Sequence, residues 1–288
     1  MASTCRVGRR RPARAAARRS RARSPLASAR RVHVTDSADA EFDTLAGWTA
    51  EVATDLGQEF YIPAGCRGSG SPAVLDWLID QLDLSAGELL LDCGAGVGGP
   101  AAYAAQRGVR PVLVEPQAGG CHAARALFGF PALQADASAL PLADEAFDAA
   151  WALGVLCTTD AKLELLSELR RVVRPPGRIG LLVLVAQDLS PAGEPDDSSF
   201  PTADLLWGLV RRAGLRVDAW RSAADLWDPP APWRRRVERI EAEMHARYGD
   251  ESAWQVAEHQ SDLIARLLER SAIVPNLLSL RHDTAAPG

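Results

Sequence analysis

The chain has 288 residues, 47% of them hydrophobic and 24% charged, which suits one large globular domain or one domain with a cap. Residues 1–31 hold eleven of the 32 basic side chains and no acidic one, so the remainder sets 21 basic residues against 37 acidic ones. This acidic remainder is a poor partner for nucleic-acid phosphates, and no apolar run approaches the ~20 residues that cross a bilayer.

Cysteine usage indicates a reducing compartment. The five cysteines, at positions 5, 66, 93, 121 and 157, are scattered and odd in number. No pair has the spacing of a metal site, so we expect free thiols in a cytoplasmic protein rather than disulfides or a bound metal.

The first 31 residues are rich in Arg, Ala and Ser and hold almost no large apolar side chain, so they cannot form a core. A disordered tail, a nucleic-acid or membrane-surface arm and an organellar transit peptide all have this composition. The single lysine, Lys162, against 31 arginines indicates a GC-rich coding sequence. Because valine codons can initiate translation in bacteria, we expect the native protein to start near Val34 and to lack this tail.

Ordered structure is expected from Asp36. Residues at helical spacing predict a first helix, which Gly57 ends: Phe42, Leu45, Trp48, Val52 and Leu56. A loop is predicted from Tyr61 to Gly70, and its Arg67 either belongs to a connector or folds over a charged ligand group. Ser71 and Pro72 are typical of a helix start. The helix that follows has one apolar face, made by Leu75, Leu78, Ile79 and Leu82.

The stretch from Leu89 to Gly99 joins a short apolar run, an acidic residue and glycines at every second position, and a helix is predicted from Pro100 to Arg107. This pattern predicts a buried strand, a tight turn and a helix N-terminus whose backbone N–H groups are free to bind a ligand. The spacing fits both Gly-x-Gly-x-Gly and the dinucleotide motif Gly-x-Gly-x-x-Gly, so the motif alone leaves the ligand open.

A second predicted strand, Pro111 to Glu115, ends in an acid that lies 21 residues past Gly94. In a strand–helix–strand unit, that separation brings a carboxylate to the two hydroxyls of a ribose. Further strands are predicted at 131–135, 149–153, 179–186, 215–220 and 276–281, and further helices at 160–173, 200–213 and twice within 232–271. In the helix at 160–173 the residues predicted to face inward are Leu163, Leu166, Leu169 and Val173, and Pro175-Pro176-Gly177 is predicted to stop it.

Several of these features occur together in a set order and spacing. They are Leu91 to Gly98, Glu115, Asp136-Ala137 with Leu140-Pro141, Phe147-Asp148, and the helix–turn–strand unit at 169–178. Over about residues 71–220 the chain resembles the class I S-adenosylmethionine-dependent methyltransferases, most closely the branch with ubiquinone/menaquinone-biosynthesis-type and small-molecule enzymes. Pro176 departs from the family, which more often has glycine there.

The resemblance implies an α/β fold: a doubly wound, Rossmann-like, seven-stranded sheet with an antiparallel last strand and a helical lid. It implies that Gly94, Ala95 and Gly96 hold the methionine part of S-adenosyl-L-methionine and that Asp92 orients its amino group. It further implies ribose binding by Glu115, adenine contacts by Pro116, Asp136 and Ala137, and a backbone contact by Leu153. A nicotinamide cofactor fits the glycines but leaves the pattern at 136–148 unexplained.

The expected organisation is a tail (1–35), an N-terminal helix and loop over the site (36–70), a cofactor-binding core (71–220), a helical lid insertion (221–275) and a last strand with its tail (276–288). The expected reaction moves a methyl group to a small-molecule O, N or C nucleophile. The family often has a histidine after the fourth strand, where this chain reads Leu156-Cys157-Thr158-Thr159, so no catalytic residue is assigned. An inactive cofactor-binding protein and a nucleic-acid methyltransferase that uses the tail remain alternatives, and the oligomeric state is open.

Overall fold

The computed structural model describes residues 35–188 and 199–283, with side chains from residue 41 onward. The expectations about the arginine-rich tail and about a start near Val34 lie outside these residues. Within them, no helix is both long and apolar enough to cross a membrane.

The described residues form one mixed sheet of seven strands in the order β3-β2-β1-β4-β5-β7-β6. Strands β1 to β5 are mutually parallel, and β7 runs antiparallel to both of its neighbours. This arrangement confirms the predicted Rossmann-like sheet with its antiparallel last strand. The strands are β1 (Leu89–Cys93), β2 (Arg110–Glu115), β3 (Ala132–Gln134), β4 (Phe147–Leu153), β5 (Val173–Ala186), β6 (Leu215–Ser222) and β7 (Ile273–His282).

Helices follow most strands and cover both faces of the sheet, as a parallel sheet requires. They are α1 (Thr35–Leu56), α2 (Tyr61–Gly65), α3 (Pro72–Gln81), α4 (Gly99–Ala105), α5 (Ala118–Phe128), α6 (Lys162–Val172), α7 (Ala203–Arg212), α8 (Ala231–Tyr248) and α9 (Ser252–Glu269). One face of β4 and β5 packs against α6 and α7, and the other face packs against α3. Among the described residues, Trp151 on β4 is the largest side chain that is fully buried.

The helix α3 begins where the sequence predicted it. Ser71 is the N-cap, its Oγ accepts from the backbone N–H of Val74 at 3.4 Å, and Pro72 opens the helix. All four residues of the predicted apolar face are buried. Such a cap stabilises a helix by about 1 kcal/mol, so these two residues fix where α3 begins.

Three local predictions were wrong. Phe42 is 52% exposed and does not belong to the buried face of α1. Residues 58–65, predicted as loop, form a 3-10 turn and then α2, because the backbone of Gly65 packs directly on Gly99. Val173 is not the inward-facing end of α6 but the first residue of β5, which runs through the Pro-Pro-Gly segment because Val173 already pairs with Phe147.

The two helices between β6 and β7 are an insertion, as predicted, and lie within the order β6-α8-α9-β7. They pack against the first two helices of the chain rather than against the sheet alone. We call α1, α2, α8 and α9 together the cap. Its interior includes Ile240, Met244 and Trp254, all buried against α1 and α5.

Candidate functional site

The turn after β1 is held by backbone hydrogen bonds. The N–H groups of Gly94 and Ala95 donate to the carbonyl of Val114 on β2, at 2.8 and 3.1 Å, and the N–H of Gly98 donates to Ala95 at 2.9 Å. Gly94, Gly96 and Gly98 all have positive φ, which other residues adopt at a cost of about 1–2 kcal/mol. The turn therefore depends on glycine for its conformation.

The glycines of this turn differ in what surrounds them. A Cβ atom at Gly94 would lie 2.3 Å from Cγ2 of Val155, and one at Gly98 would lie 2.8 Å from Cδ2 of Leu113. A Cβ atom at Gly96 would meet nothing within 4 Å, and the same holds at Gly154, just after β4. Gly94 and Gly98 are thus packed by the protein, whereas Gly96 and Gly154 border open space in which a ligand could lie against the backbone.

Glu115, at the end of β2, is 7% exposed, and its side chain is hydrogen-bonded to the glycine turn after β1. Its Oε2 accepts from the N–H of Gly96 at 2.7 Å, and its Oε1 accepts from the N–H of Gln117 at 3.2 Å. The first turn of α5 closes on it, since a Cβ atom at Gly120 would lie 2.8 Å from Cγ of Glu115. The carboxylate predicted to bind ribose is therefore also a structural support of the glycine turn.

Asp92, the penultimate residue of β1, is 1% exposed, and among the described residues its Oδ2 has no hydrogen-bond partner. The pKa of this carboxyl is raised to about 7, mainly by burial and also by the nearby charge of Glu115. The Trp151 indole and the backbone N–H of Ala101, in the first turn of α4, lower the pKa. Asp92 thus takes the part of a capping residue for α4, whose own N-cap, Gly98, has no side chain.

The acidic side chains at the strand ends converge. Burial raises the pKa of the Cys93 thiol, and the charges of Asp92, Glu115 and Asp136 raise it further. Asp136 itself is exposed, and its Oδ1 accepts from the N–H and the hydroxyl of Ser138 at 2.7 and 2.6 Å. Three side chains predicted to bind the cofactor, each from a different strand end, therefore lie near the Cys93 thiol.

The remaining predicted contacts lie around the same edge of the sheet. Pro116 is exposed, and its carbonyl accepts from Nε2 of Gln134 at 3.0 Å, which ties the end of β2 to the end of β3. Ala137 is half-buried. Leu153 is buried at the end of β4, where it pairs with Leu182 of β5.

Sequence reasoning missed several residues of this site. Trp151 was not singled out because a Trp within an apolar strand has the pattern of ordinary core. Gly119 was also missed, although two successive glycines in a predicted helix gave a signal. A Cβ atom there would lie 2.3 Å from the carbonyl oxygen of Asp43 on α1, and Asp43 accepts from the N–H of Gly119 through its side chain. Cys66, at the end of α2, is buried and close enough for Asp92 to raise the pKa of its thiol.

The loop that contains Arg67 contacts the cap. The guanidinium Nη1 lies 3.0 Å from Sδ of Met244, and Nε lies 3.7 Å from a carboxylate oxygen of Glu241. Burial lowers the pKa of Arg67, and Glu241 opposes that effect. In the described part of the chain, the Arg67 side chain therefore contacts α8.

The tyrosine and histidine side chains that could serve as general bases make other contacts or are exposed. Tyr61 makes an edge-to-face contact with Phe128, and His245 makes one with Trp254. Tyr248 stacks on Trp48, and His259 is exposed. In the loop after β4, burial raises the pKa of the Cys157 thiol to about 11, so that group is protonated at neutral pH.

Two cavities in the described part of the chain lie away from the strand ends. One, of about 210 Å³, is bounded by Ile62, Tyr103, Trp233 and Arg236, between α2, α4 and α8. The other, of about 240 Å³, is lined by Ile79, Asp80, Asp83, Leu84 and Arg107. Neither touches Asp92 or Glu115, so the site is defined by its polar groups and not by a large cavity.

Comparison with known proteins agrees with this geometry. Residues 91–181 match a family described as a methyltransferase domain. The methyltransferase GfsG of Streptomyces halstedii is 33% identical over 173 residues, which are 54% of this chain and 62% of that protein. An uncharacterized methyltransferase of Mycobacterium avium is 34% identical over 118 residues, 39% of this chain and 47% of that protein. The matches span less than two thirds of each of these relatives.

Solved structures share the fold. The crystal structure of the [4+2]-cyclase SpnF matches with a TM-score of 0.59 and 23% identity, over 72% of this chain and 80% of that one. The geranyl diphosphate C-methyltransferase of Streptomyces coelicolor A3(2), solved with Mg²⁺, geranyl diphosphate and S-adenosyl-L-homocysteine, matches with a TM-score of 0.55 and 15% identity. That match covers 72% of this chain and 79% of the other. Residues 91–181 therefore resemble a methyltransferase domain, and the described residues share a Rossmann-like fold with these solved structures.

Proposed function

We propose that this protein binds S-adenosyl-L-methionine at the ends of β1, β2 and β3 and transfers its methyl group to a small molecule. The observation that carries the proposal is the buried Oδ2 of Asp92, which has no hydrogen-bond partner among the described residues and directly precedes the glycine turn. A buried carboxylate oxygen without a partner costs roughly 1–3 kcal/mol or more, so its retention indicates a ligand that supplies the missing donor. The methyltransferase-domain match at residues 91–181 supports the same conclusion.

The residues present fit this cofactor. Asp92 would take the amino group of its methionine part, and the backbone at Gly94, Ala95 and Gly96 would lie against that part, since Gly96 borders open space. Glu115 would bind the ribose, and Pro116, Asp136 and Ala137 would contact the adenine. Leu153 would supply a backbone contact near the amino-acid part of the cofactor. When bound, the cofactor supplies a methyl group on a positively charged sulfur, which is already reactive toward a nucleophile.

The chain's own contribution is placement and exclusion of water. The cap is fastened to the cofactor side of the sheet at two points, through Gly65 on Gly99 and through Asp43 on the first turn of α5. Holding a nucleophile in line with the methyl group in a dry site supplies much of the rate acceleration for such a transfer. No general base is placed by the described residues, so the acceptor we propose is one that reacts without proton removal or arrives deprotonated.

The acceptor we propose is weakly polar. Val97, in the glycine turn, packs into the same apolar cluster as Trp48, Tyr61 and Phe128, so the turn faces aromatic side chains of the cap and of α5. Aromatic and apolar walls bind flat or lipid-like molecules and give an amine no carboxylate to pair with.

The test is methyl transfer from isotopically labelled S-adenosyl-L-methionine to a panel of acidic phenols, isoprenoid alkenes and amines, with product detected by mass spectrometry. We expect turnover with weakly polar acceptors and none with small amines. Cofactor binding without turnover on any acceptor would favour the inactive cofactor-binding protein. Methylation of DNA or RNA that stops when residues 1–31 are removed would favour the nucleic-acid alternative.

We infer a cytoplasmic location from thiol chemistry. Cys66, Cys93, Cys121 and Cys157 are free and buried, a state that a reducing compartment maintains. Measurement of free thiols at all four of these positions, in protein isolated under alkylating conditions, is the expected result. A disulfide in that material would contradict the inference.

A further inference from the structure

Asp92 and Trp151 are direct neighbours in the sheet. They are register partners across the parallel strands β1 and β4, and both side chains are almost completely buried. The indole is one of the groups that lower the pKa of the Asp92 carboxyl. Even so, among the described residues neither Nε1 of Trp151 nor Oδ2 of Asp92 completes a hydrogen bond of normal geometry. The donor and the acceptor are thus adjacent but not locked together.

We propose that Trp151 is a positioning residue for cofactor binding: its indole N–H holds the Asp92 carboxylate in the charged state and in the orientation that receives the cofactor's ammonium group. This proposal rests on the proposed function, because it specifies how one contact of that site works. It assigns a functional part to a side chain whose position, in the middle of an apolar strand, is that of ordinary core.

The groups around Asp92 shift its pKa in opposite directions. Burial and the charge of Glu115, at the end of β2, favour the neutral acid, and the buried Cys66 thiol at the end of α2 adds no donor. The neighbouring Cys93 thiol on β1 stays protonated because the same carboxylates raise its pKa. Among the described residues, the indole of Trp151 and the N–H of Ala101 favour the charged form. The balance places the pKa of Asp92 near 7, so the loss of either donor moves it upward.

A consequence for binding follows from this balance. An ammonium group pairs with the carboxylate and not with the acid, so affinity for an amino-acid-bearing ligand rises with pH as Asp92 ionises. S-adenosyl-L-homocysteine carries that ammonium group, and 5′-methylthioadenosine is the same nucleoside thioether without the amino-acid part. The two ligands therefore separate the Asp92 contact from the ribose and adenine contacts.

The chain offers a matched control for the indole. Trp254, on α9, is also buried with an unpartnered Nε1 in the described part of the chain, but its neighbours are apolar groups of the cap and the His245 ring. Trp151→Phe and Trp254→Phe each remove one buried indole and leave an aromatic ring. Both variants lose comparable packing, and only Trp151→Phe removes a donor from Asp92.

The experiment is calorimetric titration of the full-length wild type and the two variants with both nucleosides, from pH 6 to 9. For the wild type we expect affinity for S-adenosyl-L-homocysteine to rise through about pH 7 and affinity for 5′-methylthioadenosine to stay flat. In Trp151→Phe the rise shifts upward by roughly one pH unit, because a hydrogen bond to a charged group is lost. Its affinity for the homocysteine compound then falls about tenfold at pH 6.5 and recovers near pH 9. Trp254→Phe follows the wild type.

A loss in Trp151→Phe that is equal at every pH and equal for both ligands would mean that Trp151 is structural only and would overturn the proposal. If that variant does not fold, ¹⁵N spectra of the eight indole groups in the wild type decide instead. One indole signal should follow pH with a midpoint near 7 and should become independent of pH in Asp92→Asn. The absence of such a signal would overturn the proposal. Failure of the wild type to bind either nucleoside at any pH would instead overturn the proposed function, since the indole titration reports on the residue pair alone.

Discussion

The strand-end region and the cap are built in different ways. At the ends of β1 and β2, the contacts that define the site run through backbone N–H groups, as in the grip of Glu115 on Gly96 and Gln117. The cap is held by ring contacts such as the stack of Trp48 on Tyr248, with ring centroids 4.2 Å apart, and by surface ion pairs such as Arg247 with Asp55. Backbone hydrogen bonds fix one geometry at the strand ends, whereas the side-chain packing of the cap tolerates many different residue types. The difference indicates that the cofactor half of the site is narrowly specified and that the acceptor half is adaptable.

The largest expected effect concerns the charge buried in the strand-end region. Asp92 is held neutral in the folded protein up to a pKa of about 7, while in the unfolded chain it ionises near its ordinary value. The folded state therefore keeps a proton that the unfolded state has released, and Asp92 withdraws stability as pH rises from about 4 to 7, after which the loss levels off. Asp92→Asn removes this effect, so its stability relative to the wild type should grow by about 3 kcal/mol between pH 4.5 and pH 8.

Urea unfolding of both proteins at the two pH values measures this difference, and other carboxyl groups cancel in the comparison. A stability difference that stays constant with pH would show that Asp92 is already ionised in the folded protein. Asp92 would then titrate like an exposed carboxyl group, and the strand-end region would not raise its pKa.

The next effect concerns the joint between the two regions. A Cβ atom at Gly99 would lie 2.2 Å from the carbonyl carbon of Gly65 and 2.4 Å from the backbone nitrogen of Cys66, where no side chain can move aside. Gly99→Ala should therefore lower the free energy of unfolding by about 3 kcal/mol. Gly47, on the outer face of α1, is the matched control, because a Cβ atom there would meet nothing within 4 Å.

Gly47→Ala should raise stability by about 0.5–1 kcal/mol, since alanine favours the helix. Thermal and urea unfolding of the two variants provide the comparison. Equal effects of the two substitutions would mean that α2 does not press on the start of α4, and that the cap is not fastened at this point.

The smallest effect belongs to the interior of the cap. Trp48→Leu removes the stack on Tyr248, and an aromatic pair contributes about 0.5–1.5 kcal/mol beyond its buried area. We expect a small loss of stability, a changed Michaelis constant for the acceptor and unchanged affinity for S-adenosyl-L-homocysteine. A matching loss of cofactor affinity would show that the two regions are not separable. Isothermal titration and steady-state kinetics on the same preparation give both numbers.

The sequence predicted most of the fold because its local signals agree with the tertiary structure. Alternation of apolar strands with helices, Ser71 before Pro72, and glycines after β1 each have one structural solution that also suits the sheet. Phe42 failed because helical periodicity sets a spacing but not which face meets the core. The α2 segment failed because its fold depends on a backbone contact with Gly99, 34 residues away, which no local pattern reveals.

The residues assigned to the candidate site remain a prediction. The strand-end acids were identified because an acid after a buried strand has few structural reasons to be there. Trp151 could not be identified, because its part depends on being the register partner of Asp92 in another strand. The support that Glu115 gives to Gly96 was also beyond sequence reasoning, since it depends on which way one buried carboxylate turns.

The measurement that tests the central claim most directly is calorimetric titration of the full-length protein with S-adenosyl-L-homocysteine at pH 8, for the wild type, Glu115→Gln and Glu115→Ala. We predict one bound molecule per chain and a 10- to 100-fold loss in Glu115→Ala, because a charged acceptor worth roughly 1.5–3 kcal/mol is removed. Glu115→Gln, which keeps one acceptor oxygen for Gly96, should lose less. No heat and no thermal shift in the wild type, or equal affinity in all three proteins, would contradict the assignment of the strand ends as the cofactor site.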